Sequence, residues 1–284
     1  MSAKEEETSW VAHLENHGWA ALPGSAEVDK ATDALSRALK DRVFALAMEE
    51  TRERFGWRRD WADPVARPLR GVLFGSGFSS RAVPSNRKQW HAVCGAPLDI
   101  LAWPDEETSQ LWARAQACLE RVCDACLHQA LPPEKVAELR EARERDGDPS
   151  VLDVFSYTDT DEARGREEGA GMGEHLDPGL FTLKPLSAVP GLEVFDHSLD
   201  AWVSVEREVA VAAATAAANN NSNKKKNSTN SSGAAQPLII FGGETLQAMS
   251  EGRFRAALHR VALASEPRDA VIYELRSFWV ADGE

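Results

Sequence analysis

No apolar run in this chain of 284 residues approaches the roughly 18 residues that a membrane-spanning helix needs. The first residues, MSAKEEETSW, are acidic and contain no apolar stretch, so they predict no secretory signal and favour the cytosol or the nucleus. Basic residues are also too few to balance the acidic ones, and the net charge is −13. That charge argues against a general nucleic-acid-binding protein, which needs a basic surface.

Cysteine is scarce as well, with four residues in the whole chain: Cys94, Cys118, Cys123 and Cys126. Cys123 and Cys126 form a single Cys-x2-Cys pair near His128, and one such pair is a weak zinc signal. Apolar residues recur at helical spacing from about 109 to 130, across the same segment. We therefore expect small buried cysteines on one helix face, with a zinc site as the alternative.

The first half of the chain predicts a mainly helical region, 1–150, that packs on a core formed by the second half. Helical patterns cover residues 4–16, 27–54, 109–130 and the segment PPEKVAELREARER, and GWAALPG at 18–24 reads as a strand. Proline is tolerated at the start of a helix, which fits the PPEK segment. Residues 56–107 are rich in Gly, Pro and Trp and predict irregular structure.

The second half, 151–284, predicts a β-rich core. Its short strand-like segments are VLDVFSY, FTLKPL, LEVFD, AWVSV, PLIIF, RFRAALHRVAL and AVIYEL. Many short strands with turn signals between them indicate a sandwich or barrel such as a jelly roll. The fold class is therefore α+β with a mainly β core.

One segment of the second half does not fit a strand pattern. Residues 210–236 contain an alanine run followed by Asn, Ser and Lys. Such a composition offers little apolar surface to bury. We expect a disordered, low-complexity insert between two strands.

The stretch GMGEHLDPGLFTL places one residue, Leu176, between His175 and Asp177. In a strand, residues i and i+2 point to the same face, so these two side chains would project together. An imidazole and a carboxylate on one face are two ligands of a metal site that needs a third. The alternative is a chance pairing in which Asp177, before Pro178, makes a turn.

Among the other histidines, His259 is the best candidate for the third ligand. It lies in a late strand of the same half, whereas His197 lies in a predicted hairpin turn that faces solvent. Two histidines and one carboxylate that leave one face open suit a non-haem Fe(II) oxygenase.

Arg268 follows His259 and enters a strand that is otherwise apolar. A buried arginine needs an anion, and its planar fork matches a carboxylate. It is therefore a candidate anchor for the far carboxylate of a dicarboxylate cosubstrate. The alternative is a surface arginine that pairs with Glu266 or Asp269.

Taken together, three segments resemble the isopenicillin N synthase-like group of Fe(II)/2-oxoglutarate dioxygenases. They are HLDPGLFTL, VPGLEVFDHSLDAWVSVE and PLIIFGGETLQAMSEGRFRAALHRVALASEPRDAVIYEL, in the order that the family shows over about residues 151–280. LENHGWAALPG and NRKQWHAV also resemble N-terminal segments of the family. The interval from Asp177 to His259 is longer than the family usually has, and the low-complexity insert accounts for the excess.

The resemblance implies a double-stranded β-helix in which His175, Asp177 and His259 hold Fe(II). It implies that Arg268 binds the C5 carboxylate of 2-oxoglutarate. Tyr157 aligns with a family tyrosine whose hydroxyl helps to bind this cosubstrate.

The sequence departs from the family at three places. Ala270 stands where the family has the serine of Arg-x-Ser, Phe155 and Ser156 replace an Asn-Tyr pair, and Glu244 replaces an aspartate. Losing the serine removes one hydrogen bond to a carboxylate, which is worth roughly 1.5–3 kcal/mol if nothing replaces it. This weakens the case for 2-oxoglutarate in particular.

The leading hypothesis is a dioxygenase that hydroxylates or otherwise oxidises a small organic molecule and releases succinate and CO2. Alternatives are a family oxidase that does not use 2-oxoglutarate, favoured by Ala270, and a jelly-roll binding protein without turnover. We expect dioxygen as co-reactant, no nucleic-acid or membrane partner, and a monomer. Residues 52–91 carry a local positive excess, so Arg70 and Arg81 could face an anionic substrate, although a solvated loop is the favoured explanation.

Overall fold

The computed structural model describes residues 3–56, 76–81, 86–95, 101–158, 170–223, 235–262 and 266–278. None of the helices in these ranges combines the length and the apolar character that a bilayer span requires. The helices are α1 (Ala3–His17), α2 (Ala26–Leu39), α3 (Met48–Phe55), α4 (Glu106–Ala130), α5 (Pro133–Asp146), α6 (Val205–Asn223) and α7 (Glu244–Met249).

The described strands form two antiparallel sheets. The strands are β1 (Trp19–Leu22), β2 (Gly77–Arg81), β3 (Asn86–Val93), β4 (Val151–Thr158), β5 (Ala170–His175), β6 (Phe181–Pro185), β7 (Leu192–Asp196), β8 (Ala201–Ser204), β9 (Leu238–Gly242), β10 (His259–Ala262) and β11 (Arg268–Leu275). The larger sheet has the order β1-β9-β6-β11-β4-β3-β2, and the smaller has the order β5-β10-β7-β8. From β4 to β7 and again from β9 to β11, the chain alternates between the two sheets, which is the arrangement of a jelly roll.

Two strands of the larger sheet, β4 and β9, are buried over almost their whole length. All five residues of β9 and seven of the eight residues of β4 are buried. One face of this sheet packs against α2 and α4, and the other faces the smaller sheet. In the smaller sheet, β7 alternates buried and partly buried residues, because only one of its faces meets the rest of the protein.

Residues 210–223 correct the prediction of a disordered insert over 210–236. They belong to α6, whose first turn is anchored by the buried side chains of Val205, Glu206 and Val209. Alanine has the highest intrinsic helix propensity, so the alanine run extends a helix that this anchored turn starts. This turn lies at 205–209, before the low-complexity composition begins. Residues 224–234 lie outside the described ranges.

Two further predictions need correction. The helical pattern over 27–54 is not continuous, because α2 ends at Leu39, a π-helical turn covers Lys40–Phe44, and α3 follows. The stretch 56–107 is not wholly irregular, because β2 and β3 lie within it and extend the larger sheet. The predicted helices at 4–16, at 109–130 and in the PPEK segment are confirmed.

The N-terminal region also contributes to the core sheet. β1 pairs with β9 at one edge, and β3 pairs with β4 toward the other. One apolar cluster joins residues from both halves of the chain. The division of the chain near residue 150 stays a prediction.

Candidate active site

A cavity of about 670 Å³ lies between the two sheets. Its walls come from β3, β4, β6, β9 and β11 on one side and from β5, β7 and β10 on the other. The predicted metal ligands, Arg268 and Tyr157 all line it. The structure therefore brings the predicted metal ligands and the two predicted cosubstrate-binding residues to one cavity.

His175, Asp177 and His259 meet at the smaller sheet. His175 ends β5 and lies opposite His259, which begins β10. Nε2 of each histidine lies 3.7 Å from Oδ1 of Asp177. One ligand atom from each of the three lies within 4.8 Å of the others, and no other such group of metal-binding side chains occurs in the described ranges.

Backbone carbonyls fix the orientation of both imidazole rings. Nδ1 of His175 lies 2.8 Å from the Gly173 oxygen, and Nδ1 of His259 lies 2.9 Å from the Ala257 oxygen. Because a carbonyl oxygen can only accept, each Nδ1 carries the proton and each Nε2 keeps its lone pair. Burial also lowers the pKa of His259, which favours the neutral, ligating form.

Two contacts hold Asp177 in place. The Thr182 hydroxyl donates to Oδ2, which leaves Oδ1 facing the two imidazoles. The Glu244 backbone N–H donates to the Asp177 carbonyl at 2.9 Å. This backbone contact does not depend on the side chain at 244, so the family's aspartate is not needed for it.

Gly243 permits this close approach. A Cβ atom at this position would lie 2.3 Å from the Gly179 oxygen and 2.7 Å from the Asp177 oxygen. Both atoms belong to the backbone and cannot move aside cheaply, so a side chain at 243 would push away the loop that carries Asp177.

The donor set fits a divalent iron. Two neutral imidazoles and one carboxylate, with the rest of the site open to a cavity, form the arrangement that non-haem Fe(II) enzymes use. Ligand histidines whose second nitrogen donates to a carbonyl are typical of metal centres. The assignment of these three residues as ligands remains a prediction that the geometry supports.

Arg268 is buried and does not pair with either of the anions considered from the sequence. Its Nε donates to the Val189 carbonyl at 3.1 Å, and its Nη2 lies 3.2 Å from both carboxylate oxygens of Glu206. Asp269 instead pairs with Lys40. The prediction that a buried arginine needs an anion holds, but the chain itself supplies one.

Sequence reasoning missed Glu206 and Lys184. Nζ of Lys184 donates to the Glu206 carboxylate, and the backbone N–H groups of Gly191 and Leu192 donate to it at 2.6 and 2.8 Å. Lys184 interrupts the apolar strand β6, and a lysine at such a position is the signal that could have revealed it. Glu206 lies in α6, where no comparable signal marks it.

The surroundings keep this group ionised. Burial alone would raise the pKa of Glu206, but Lys184, Arg268 and the Leu192 N–H lower it to about 2. Burial lowers the pKa of Lys184 to about 8, and the Arg268 charge acts in the same direction while Glu206 opposes it. At pH 7 the group therefore contains two cations and one anion.

Tyr157 faces Arg268 across paired strands. The two residues are directly opposite in the β4–β11 ladder, and the Arg268 guanidinium lies 5.3 Å from the Tyr157 ring centroid. The Tyr157 hydroxyl is buried, and no described residue hydrogen-bonds to it. Burial raises its pKa, so it stays protonated and can donate to an anion in the cavity.

Ala270, which stands in the place of the family serine, supplies no hydrogen bond to a carboxylate. It packs in an apolar cluster with Phe155, Tyr157 and Val261 and offers no hydroxyl. The lining of the cavity contains Lys184, however, a cation beside Arg268 that the family resemblance does not predict.

A second polar group lines the cavity on the side of Asp177, whose charge acts on both Glu274 and Arg276. Arg276 donates from Nη2 to Glu274, while its buried Nε and Nη1 have no partner among the described residues. Burial raises the pKa of Glu274 to about 7. Nearby, Asp153 lies 2.7 Å from Nδ1 of His91 and accepts from Gln89 at 2.8 Å.

The alternative zinc site is not formed. Cys118, Cys123 and Cys126 are buried and free on α4, whereas His128 is exposed and lies 2.8 Å from an Arg140 nitrogen. His197 is exposed, as expected. Arg70 and the side chain of Arg81 lie outside the described residues.

Comparison with known proteins finds oxygenases among the chains that are similar to this one. No protein-family model matches the chain. Gibberellin 2-beta-dioxygenase 3 of Arabidopsis thaliana is 29% identical over 143 residues, which are 50% of this chain and 33% of that protein. The match thus spans about a third of the length of that curated relative.

Solved structures resemble the whole chain. The Arabidopsis thaliana dioxygenase for auxin oxidation 1 in complex with 2-oxoglutarate superposes with a TM-score of 0.65 at 15% identity, over 98% of this chain and 90% of that one. The rice dioxygenase for auxin oxidation gives 0.61 at 16% identity, over 96% and 78%. A Neurospora crassa protein in complex with alpha-KG and thymine gives 0.62 at 13% identity, over 99% and 87%. The predicted double-stranded β-helix and the predicted resemblance to the Fe(II)/2-oxoglutarate dioxygenases of the isopenicillin N synthase-like type are both confirmed.

Proposed function

We propose that this chain is an Fe(II)- and 2-oxoglutarate-dependent dioxygenase that oxidises, in the simplest case hydroxylates, a small organic molecule and releases succinate and CO2. The observation that carries this proposal is the presence, in one cavity, of an open His–Asp–His triad and a buried pocket of cations. The first suits Fe(II), and the second suits the far carboxylate of a dicarboxylate.

At the metal end, the chain supplies three oriented ligands. His175 and His259 would bind the metal through Nε2, because each Nδ1–H donates to a backbone carbonyl. Asp177 would bind the metal through Oδ1, because the Thr182 hydroxyl donates to Oδ2. Iron in this site, together with 2-oxoglutarate and dioxygen, supplies the oxidising power of the reaction.

At the other end of the same cavity, Arg268, Lys184 and Tyr157 would bind the far carboxylate. Arg268 uses Nε and Nη2 for its contacts within the protein, and these contacts do not involve Nη1. The Tyr157 hydroxyl is buried and has no partner among the described residues. These donors would hold one end of the cosubstrate while the other end lies at the metal, and so would keep it oriented.

The substrate would occupy the part of the cavity near Arg276. Two buried nitrogens of this arginine, without partners among the described residues, favour a substrate with a carbonyl or anionic oxygen. Met172, Leu192, Phe241 and Val261 line the cavity near the metal ligands and would exclude water from the reacting group. We therefore propose a small polar molecule, with an anionic one as the favoured class.

Two observations favour a second candidate, an oxidase that does not use 2-oxoglutarate. Glu206 already accepts hydrogen bonds from Nη2 of Arg268, and Ala270 lacks the hydroxyl of the family serine. If no external carboxylate binds at this end of the cavity, Arg268 has only a structural role. Iron would still bind at the triad in that case.

A spectroscopic titration separates the two candidates. Anaerobic protein with Fe(II) is mixed with 2-oxoglutarate, and the weak metal-to-ligand charge-transfer band in the visible range is recorded. We expect a band that is absent in Asp177→Ala and weak in Arg268→Ala. Iron binding without a band would support the oxidase, and the absence of both would leave a jelly-roll binding protein.

A further inference from the structure

We propose that Lys184 supplies the positive charge that balances the far carboxylate of the cosubstrate, because Glu206 already neutralises one of the two buried cations, Lys184 and Arg268, that contact it. The proposal rests on the proposed function and names a specificity-determining residue for it. It also gives a role to Glu206, which holds the two cations in position.

The three charges form one buried cluster. Lys184, Glu206 and Arg268 are 1%, 1% and 2% exposed. Lys184 Nζ and Arg268 Nη2 both contact Oε1 of Glu206, so the two cations are neighbours around a single oxygen atom. Gly191 makes room for this packing, because a Cβ there would lie 3.0 Å from Arg268 Nε.

The charge count leaves one positive charge without compensation. Two cations and one carboxylate carry a net charge of plus one, and a buried unpaired charge is costly. One further carboxylate would bring the cluster to neutrality. Without Lys184, the pair of Arg268 and Glu206 would already be neutral and would gain little from a second anion.

The positions of the charged groups agree with this charge count, because the cations line the cavity and Glu206 does not. Lys184 and Arg268 line the cavity. The Glu206 carboxylate lies against the backbone, where the N–H groups of Gly191 and Leu192 donate to it. An incoming carboxylate would therefore meet the cations and the Tyr157 hydroxyl, while Glu206 holds the cations from behind.

The test compares two probes on protein loaded with Mn(II), a metal that binds oxygen and nitrogen ligands without turnover. The probes are 2-oxoglutarate and 2-oxobutanoate, which share the metal-chelating end and differ in the far carboxylate. Dissociation constants are measured by calorimetry. The ratio between the two constants reports the far-carboxylate interaction and needs no catalytic activity.

In the unmodified protein we expect a clear preference for 2-oxoglutarate. In Lys184→Met this preference falls about tenfold or more, because a charge-assisted contact is lost, while 2-oxobutanoate affinity stays the same. Lys184→Arg, which keeps the charge, retains most of the preference.

The double variant Lys184→Met with Glu206→Gln gives the sharpest result. It restores a net charge of plus one through Arg268 alone, so we expect the preference to return. A purely structural role for Lys184 predicts no such rescue, and a double variant that binds no better than the single one would overturn the proposal.

Folding is controlled within the same experiment. A misfolded variant loses affinity for both probes, and the double variant, which buries fewer charges, provides the test if Lys184→Met does not fold. Unchanged preference in Lys184→Met would overturn the role of Lys184 and leave the dioxygenase proposal intact. If the unmodified protein shows no preference for 2-oxoglutarate, the proposed function itself fails.

Discussion

The two ends of the cavity are built in different ways. At the metal end, His175 and His259 lie at strand ends and Asp177 lies in the loop after β5, and backbone carbonyls and one hydroxyl hold the three side chains. At the other end, which would bind the far carboxylic acid group of the cosubstrate and is called the acid end below, the side chains of Lys184, Glu206 and Arg268 hold one another by ion pairs. The metal end should therefore tolerate changes in its surroundings that leave the backbone in place, whereas the acid end should fail when one charge is removed.

The largest expected effect is at the metal end. Asp177→Ala should reduce Fe(II) affinity more than about 100-fold, since even a change behind a ligand costs roughly 10–100-fold. Equilibrium dialysis under anaerobic conditions measures this. Glu244→Gln is the matched control, because residue 244 contacts Asp177 through its backbone N–H, and a similar loss in the control would argue against a specific ligand.

At the acid end, Glu206→Gln should lower the free energy of unfolding by about 3–5 kcal/mol at pH 7, because it leaves two buried cations without their anion. Urea denaturation measures the change. Glu208→Gln is the control, since Glu208 lies in the same turn of α6 and is exposed.

The Glu206→Gln effect should depend on pH in a defined direction. The pKa of Glu206 lies at about 2, below its ordinary value of 4.5, so its stabilising contribution is complete above pH 4.5 and declines as the pH falls toward 2. The difference between the unmodified protein and the variant should shrink from about pH 5 to about pH 3.5. A constant difference would show that the charge of Glu206 is not what stabilises the cluster.

Gly243→Ala tests whether the backbone positions the metal end. The added Cβ would meet two carbonyl oxygens, so we expect a loss of about 3 kcal/mol in the free energy of unfolding together with weaker metal binding. Gly173→Ala is the control, because no atom lies within 4 Å of its Cβ position. Equal stability of both variants would mean that the loop carrying Asp177 adapts freely.

The smallest expected effect is that of Thr182→Val. It removes the hydroxyl that donates to Asp177 and should weaken Fe(II) binding about tenfold, with little change in unfolding. A loss as large as that of Asp177→Ala would contradict a supporting role for Thr182.

The same contrast explains how much could be predicted from the sequence. His175 and Asp177 are two residues apart, and His259 lies in a strand of recognisable pattern, so the triad follows from local spacing and the family resemblance. The jelly roll follows from many short apolar strands. Both depend on information that lies close together in the chain or repeats along it.

The acid end depends on residues far apart in sequence. Arg268 is a candidate buried cation from the sequence, but its partner Glu206 lies 62 positions away, just before the segment 210–236 whose composition predicts disorder. The helix forms there because its first turn is buried, and burial depends on tertiary packing. Lys184 could be noticed within its apolar strand, but its place beside Arg268 could not.

The measurement that tests the central claim most directly is the release of succinate from 2-oxoglutarate by the iron-loaded protein in air. We expect succinate to form with the unmodified protein, faster once a suitable substrate is found, and not with Asp177→Ala. Dioxygen consumption without succinate, or equal succinate formation by Asp177→Ala, would contradict the assignment of this cavity as a 2-oxoglutarate-dependent active site.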